Sequence, residues 1–396
     1  DIWCSGTVTS SVPFARMEDT GLMVSDHEYF WQVTAWNADS TKVLVSEPAK
    51  FRTALMGRTD WKAVWVTDSH DKDFEAAPMF RKEFDAGQDV VSARVYMSAC
   101  AYAEVRLNGE PVSDAFLDPG YTHYDRRNLY TVTDVTGKVR SGENVITAVL
   151  GNGFYNEIKP VATWNFENAR WRGRARFILE LHVTHADGTT SVIASDKTWK
   201  TTADGPYISN NIYSGDTYDA RKEIAGWYET GFDDSSWSTA REVPDPSPLL
   251  VAQKMPQIRP TEEIEPVAVR SFGDTSYIFA FGKNISGVCR LRVSGEAGTE
   301  VSVIHAELVK EDGSLEPGNI NIYYKPLPGY EFQTDKYILK GSGTEEWTPS
   351  FTYHGFRYAE VKTSVPMTLD KESLHALYFY TDQESPRTFE CSTKQL

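Results

Sequence analysis

The sequence predicts an all-β chain made of consecutive antiparallel β-sandwich domains. Three observations predict it. Short runs alternate apolar and polar residues, the two-residue period of a half-buried strand. Turn pairs such as Asn108-Gly109 and Asp187-Gly188 separate those runs. No helical period persists over a helix-length window.

The elements can be justified in order. In "HEYFWQVTAW" Tyr29, Trp31, Val33 and Ala35 fall on one face of a strand. In "YAEVRLNGEPV" Ala103, Val105 and Leu107 alternate with Glu104, Arg106 and Asn108, and Asn108-Gly109 supplies the positive backbone angles of a tight hairpin. "FILELHVTHADGTTSVIAS" repeats the device, with Leu179, Leu181 and Val183 facing inward and Asp187-Gly188 turning the chain. "VCRLRVSGEAGTEVSVIHAEL" reads as a further hairpin with a longer, glycine-containing turn. Two breaks divide the chain. The first is "TALMGRTDW" over 53–61, and the second is "VPDPSPLL", where Pro244, Pro246 and Pro248 make a stiff extended linker. The expected units are a short β module at 1–55, a sandwich at 58–245 and a second sandwich at 250–388. The module is too short for a full seven-strand sandwich. At the far end, Ser392 and Gln395 stand three apart before Leu396, the pattern of a capping box, so a helix is expected to begin within 389–396.

Composition narrows the function. The formal net charge is -16, which repels a nucleic-acid backbone and suits a neutral ligand such as a sugar. Aromatic residues are 13% of the chain, with 11 Trp and 20 Tyr, which favours strands and surfaces that stack on flat ligands. No apolar run is long enough to span a membrane. Cys4, Cys100, Cys289 and Cys391 are far apart and lack metal-ligand spacing, so they read as four free, buried thiols. There is no P-loop, no HExxH and no GxSxG. "GNGFYN" begins like a dinucleotide fingerprint, but Asn156 stands where the third glycine belongs and the context is all strand. His305 and His354 lie in strand-like runs and read as packed or hydrogen-bonded groups.

Two stretches are denser in functional side chains than a loop requires. "FLDPGYTHYDRRNLY" carries Asp118, Tyr121, His123, Tyr124, Asp125, Arg126 and Arg127 around a Pro-Gly turn. "GNGFYNEIKPVATWNFENARW" adds Asn152, Phe154, Asn156, Trp164, Asn165 and Trp171. Aromatics mixed with Asn, Asp and Arg are what a sugar site uses: a flat face for the C–H side and polar partners for vicinal hydroxyls. The same residues also serve structure, since an Asp125 paired with Arg126 or Arg127 would pin the loop and Trp fills cores. Both readings stand at this point.

The ordered set of motifs resembles bacterial α-L-rhamnosidases, family 78 of the glycoside hydrolases. "YFWQVTAWNAD" with "SEPAKFRTAL" resembles the end of a fibronectin-like module. "WKAVWVT", "PMFRKEF", "NVITAVLGNGFY" and "YSGDTYDARKEIAGWYETGFDDSSW" are similar to the next, jelly-roll-like sandwich. "YIFAFGKNISGVCRLRVSG", "HAEL", "DKYILKG" and "FTYHGFRYAEV" are similar to the sandwich that follows. The resemblance implies a catalytic (α/α)6 barrel in cis beyond the "FECS" stretch, and it implies that the acid and base lie there, so no catalytic residue is assigned in this chain. It further implies inverting hydrolysis of terminal α-L-rhamnosides by the parent enzyme. It also implies a face on the 58–245 sandwich for a rhamnose-containing carbohydrate, with calcium. The implied sugar-binding residues are Asp118, Tyr121, Asp125, Asn152, Phe154, Asn156, Trp164 and Trp171, and the implied calcium ligands Asp118, Asp125 and Asn152. Phe154 stands where many relatives carry Trp. A periplasmic or extracellular location is favoured over a cytoplasmic one. The rival readings are a scaffold without a ligand and a self-sufficient glycosidase with carboxylates inside the sandwiches.

Overall fold

The computed structural model describes residues 1–12, 14–18, 20–37, 39, 41, 43–158, 166–321, 331–383 and 390–393. Among them the regular secondary structure is almost entirely strand. The N-terminal module holds β1 (Glu28–Trp31), β2 (Thr34–Trp36), β3 (Val43–Val45) and β4 (Ala49–Arg52). They form two separate ladders, β1 with β4 and β2 with β3. The expected single run "HEYFWQVTAW" is therefore broken at Gln32 and Val33, where each half turns to its own partner.

The first sandwich is built from β5 (Trp65–Thr67), β6 (Met79–Asp85), β7 (Val90–Cys100), β8 (Tyr102–Leu107), β9 (Glu110–Pro111), β10 (Asn128–Asp134), β11 (Glu143–Gly151), β12 (Arg176–His185), β13 (Thr190–Ala194) and β14 (Lys200–Thr202). Further along are β15 (Tyr207–Asn211), β16 (Gly215–Asp219), β17 (Ser238–Thr239), β18 (Arg241–Val243) and β19 (Leu250–Ala252). One sheet runs β18-β5-β12-β7-β10-β19 with β13 on β12, and the facing sheet runs β17-β14-β6-β11-β8-β9. Both predicted hairpins form. Asn108 and Gly109 take positive φ between β8 and β9, and Gly188 does so between β12 and β13. Phe80, Val95, Leu107, Ile146, Phe177, Leu179, Leu181 and Trp199 fill the space between the sheets. Fully burying each aliphatic or aromatic side chain contributes roughly 1.5–3 kcal/mol.

The second sandwich holds β20 (Ile258–Ile264), β21 (Ala268–Ser271), β22 (Ser276–Ser294), β23 (Glu300–Ala306), β24 (Leu308–Val309), β25 (Leu315–Glu316), β26 (Thr334–Ile338), β27 (Thr344–Trp347), β28 (His354–Thr363) and β29 (Leu374–Thr381). The hairpin expected of "VCRLRVSGEAGTEVSVIHAEL" does not form, because β28 lies between β22 and β23. The long β22 pairs with β28 along its first half and with β29 and β27 along its second, so its end lies away from β23. The glycine-containing turn then crosses the structure.

Among the described residues two strand pairs are parallel, against the expectation of purely antiparallel sheets: β10 with β19 and β16 with β26. Both occur where the chain passes between units. Residues 207–219, within the span expected for the first sandwich, add the β15–β16 hairpin to the sheet of the second. Gly215 makes this approach, with φ +115° and a position where a Cβ would collide with the Thr334 backbone carbonyl. Asp216 follows. Its Oδ2 accepts the N–H groups of Ser350 (2.8 Å) and Phe351 (3.0 Å), and its own N–H donates to Asp335 Oδ1 (3.0 Å). Asp335 Oδ2 bonds His354 Nε2 at 3.0 Å, and the His354 ring stacks on His305 with centroids 4.3 Å apart. His305, Asp335 and His354 are buried and could each offer a metal a ligand atom within 4.8 Å of the others. His305 Nδ1 hydrogen-bonds the Gln333 carbonyl at 3.0 Å. Both histidines are packed and hydrogen-bonded, as their strand context suggested.

The N-terminal module is fastened by a second polar cluster. Asp26 accepts from Arg52 Nε (2.7 Å) and the Tyr96 hydroxyl (2.6 Å), and it meets His182 Nδ1 at 3.1 Å. His182 Nε2 meets Glu180 Oε2 at 2.6 Å, and Glu180 Oε1 accepts the Ala63 N–H at 2.6 Å. Burial opposes a charge on His182, but hydrogen bonds to Asp26 and Glu180 outweigh it and raise its pKa. The four cysteines are free, as expected, but only Cys100 and Cys289 are buried; Cys4 and Cys391 are exposed, because they lie in irregular segments outside both cores. No helix among the described residues is long and apolar enough to cross a membrane. The helix expected within 389–396 falls largely outside the described residues, of which 390–393 carry no helix.

Burial, and then repulsion from Asp335, pushes the Asp216 carboxyl up to about 8 from its ordinary 3.8. The folded protein thus holds this proton more tightly than the unfolded chain. Its contribution to stability is full below about pH 4 and is lost as pH rises toward 8. Asp216→Asn mimics the protonated acid and keeps an acceptor for both N–H groups. The unfolding free energy of wild type minus that of Asp216→Asn should fall across this window by at most about 1.4 kcal/mol per pH unit. Urea titrations between pH 4 and 9 measure it; a pH-independent difference would contradict the assignment.

Candidate functional site

Both loops singled out in the sequence lie at one end of the first sandwich, after β9 and after β11. Glycine sets the second loop. A Cβ on Gly151 would collide with the Phe351 ring, and one on Gly153, at φ +46°, would stand 2.6 Å from the Ala101 side chain. The Gly-x-Gly pair is thus required by close packing, which accounts for "GNGFYN" without a dinucleotide. The first loop closes on itself. The N–H groups of Arg126 and Arg127 donate to the His123 carbonyl, and Thr122 Oγ1 donates to the Arg127 carbonyl at 2.6 Å.

Four of the expected residues come together there. Tyr121 meets the Phe154 ring edge-on at 4.8 Å. Trp171 donates its indole N–H to the Phe154 carbonyl at 3.1 Å, and its ring meets that of His123 at 4.6 Å. Asp125 hydrogen-bonds His123 Nδ1. The result is a partly exposed aromatic face, Tyr121, Phe154 and Trp171, with a His–carboxylate pair beside it. Asp125 is pinned by His123 and not by Arg126 or Arg127. A neighbour two positions away reaches it within the closed turn.

Asn152, Asn156 and Asp118 make their hydrogen bonds elsewhere. Asn152 is buried, donating its N–H to Asn210 Oδ1 (2.6 Å) and its Nδ2 to the Asn210 carbonyl (3.1 Å). Its Oδ1 accepts from Asn156 Nδ2 at 3.0 Å, and that same Nδ2 donates to the Lys72 carbonyl at 2.9 Å. Both asparagines are struts that tie the loop to β15 and to the 68–74 segment. Asp118 accepts from Gln257 Nε2 at 3.0 Å and lines a small cavity of about 60 Å³ with Glu104, Arg106 and Thr131. Burial pushes its carboxyl up to about 6. Trp164 lies outside the described residues. The expected calcium set is therefore divided among different partners: Asp118 bonds Gln257, Asp125 bonds His123, and Asn152 bonds Asn210 and Asn156. Of the three, Asp125 stands beside the aromatic face, bonded to His123.

The sequence reading missed Tyr213 and Phe166. Phe154 touches both, at 5.7 and 5.5 Å. Phe166 sits in a stretch already noted for its aromatics. Tyr213 comes from the β15–β16 bend, and no local pattern marks it. Asn152→Ala should lower the unfolding free energy by about 1–3 kcal/mol, since it leaves buried partners on Asn210 and Asn156 unpaired. Chemical denaturation checks this; an unchanged midpoint would show that Asn152 is not a strut.

Comparison with known proteins agrees with this architecture. Residues 88–262 match the α-L-rhamnosidase N-terminal domain, and residues 270–380 match the bacterial α-L-rhamnosidase concanavalin-like domain. An α-L-rhamnosidase of Formosa agariphila is 35% identical over 99% of this chain and 43% of its own length. One from Streptomyces avermitilis is 37% identical over 87% of this chain and 32% of its own. The chain thus spans less than half the length of these curated relatives. Among solved structures, the α-L-rhamnosidase of Dictyoglomus thermophilum superposes with a TM-score of 0.82 at 35% identity, over 94% of this chain and 42% of that one. The Streptomyces avermitilis enzyme, solved in complex with L-rhamnose, gives 0.84 at 25% identity over 96% and 52%. Two consecutive domains in the family's order, on a backbone that superposes over nearly its whole length, place this chain in the bacterial α-L-rhamnosidase family.

Proposed function

We propose that this chain is the non-catalytic β-sandwich region of an α-L-rhamnosidase and that its first sandwich binds a terminal L-rhamnosyl unit. The parent reaction would be inverting hydrolysis of terminal α-L-rhamnosides. That chemistry needs an acid to protonate the leaving oxygen and a base to activate water. Both would belong to a catalytic barrel in cis, framed by the sandwiches.

The observation that carries the binding reading is the partly exposed face of Tyr121, Phe154 and Trp171 beside Asp125 and His123. Rings of this kind suit the C–H side of a sugar and the methyl group of a 6-deoxy sugar. The Asp125 carboxylate is an acceptor for vicinal hydroxyls. The solved complex of the Streptomyces avermitilis relative with L-rhamnose supports the choice of sugar. A self-sufficient glycosidase would need an acid and a base open to substrate, whereas the Asp216–Asp335 pair is buried in the joint between sandwiches. Calcium, if it takes part, would meet this face at Asp125.

Two measurements test the proposal. The purified chain should not turn over an aryl α-L-rhamnoside; activity that co-elutes with it on gel filtration would overturn the non-catalytic reading. Calorimetric titration with L-rhamnose, in calcium and in chelator, should show weak binding, because one small ring has few atoms to bury. Asp125→Ala should abolish that heat. No heat from folded wild type in calcium would leave the chain as a scaffold.

A further inference from the structure

The aromatic face does not end at the edge of the first sandwich. Tyr213 sits at the bend of the β15–β16 hairpin, and its ring meets Phe154 at 5.7 Å. Its carbonyl accepts the N–H of Gln333, and the Ser214 carbonyl accepts that of Thr334. The bend is thus fastened to the second sandwich. Segment 351–353, just before β28, runs alongside it. Phe351 packs on the Tyr207 ring at 5.2 Å and covers Gly151. Thr352 Oγ1 donates to the Ile212 carbonyl at 3.1 Å, which sets the next residue, Tyr353, beside Tyr213.

Exposure follows this layout. Tyr121 is 45% exposed and Tyr353 39%, whereas Phe154 and Tyr213 are half-buried. Burial raises the pKa of the Tyr213 hydroxyl, and the neighbouring Tyr353, Glu157 and Tyr121 raise it further. Tyr121 is linked to Tyr213 through the Phe154 ring, and Tyr353 follows Thr352, which is bonded to the residue before Tyr213.

Resting on the reading of this face as a sugar site, we infer that the site is shared by two domains: Tyr353 of the second sandwich is a ligand-contacting residue. Tyr121, Phe154 and Tyr213 follow one another edge to face, their centroids 4.8 and 5.7 Å apart. With Tyr353 added, the occupant of the site is a rhamnosyl unit together with the sugar that carries it. The first unit lies toward Tyr121 and Trp171, and the second reaches Tyr353. Recognition there is by ring stacking, so the phenyl group matters more than the hydroxyl.

The test is calorimetric titration of the whole chain with rutinose, a rhamnosyl-glucose disaccharide, with L-rhamnose in parallel. Tyr353→Ala should weaken rutinose binding by roughly three- to tenfold, the range that one aromatic contact provides. Tyr353→Phe should bind like wild type. A wild type that binds both sugars with a Tyr353→Ala variant that matches it would overturn the two-domain site and leave the first-sandwich reading intact. A wild type that binds neither sugar overturns both. Hydroxyl-radical footprinting of wild type needs no variant to fold: saturating rutinose should suppress oxidation of the Tyr353 ring, and unchanged oxidation overturns the inference.

Discussion

The buried carboxyl of Asp216 is the constraint around which the two sandwiches are arranged. It lies where one chain segment leaves the first sandwich and enters the sheet of the second. A buried polar group is costly unless its bonds are made. The bonds to Asp216 Oδ2 and from its own N–H are made only if the 350–351 backbone, the Asp335 carboxylate and the β16 backbone meet at one place. Gly215 permits the approach because it has no side chain, and Gly151 does the same for the Phe351 ring. Apolar packing alone would tolerate a slide between the units. This network fixes their register, because a shift of one residue would leave several buried groups unpaired.

The candidate site inherits its geometry from that joint. Tyr213 is placed by the same hairpin that carries Asp216, and Asn152 ties the Gly-x-Gly loop to β15 of that hairpin. The aromatic face is therefore supported from beneath by polar struts and from one side by the second sandwich. The N-terminal module is held differently. Its ladders expose much of their apolar surface, including Phe30, Trp36 and Leu44. Its attachment is concentrated in the Asp26, His182 and Glu180 cluster and in the Tyr130 hydroxyl bond to the Leu55 carbonyl at 2.5 Å.

What could be read from sequence was what local physics determines. Period-two alternation and the Asn-Gly and Asp-Gly pairs located β8–β9 and β12–β13, since a tight turn leaves the strands no other partner. The five-residue turn after β22 carried no such compulsion, and β28 took the place beside it. The same division runs through the site. Tyr121, Phe154, Trp171 and Asp125 were legible as a dense mixture of aromatic and polar groups. Asn152 and Asn156 belong to the same mixture but turn inward, because partners on β15 and in the 68–74 segment claim their amides. Asp118 is claimed by Gln257, far away in sequence. Tyr213 and Tyr353 reach the face only through the joint, which no local pattern encodes.

The central claim is that the two sandwiches fold as one cooperative unit through the Asp216 network. Native-state hydrogen exchange tests it most directly. Phe356→Ala removes a fully buried ring from the second core and should cost about 3–5 kcal/mol. The slowest amides of β12, at Leu179 and Leu181 in the first sandwich, should lose protection by the same free energy as those of β28. Loss confined to β28, with Leu179 and Leu181 exchanging as in wild type, would show that the sandwiches open independently and would contradict the account.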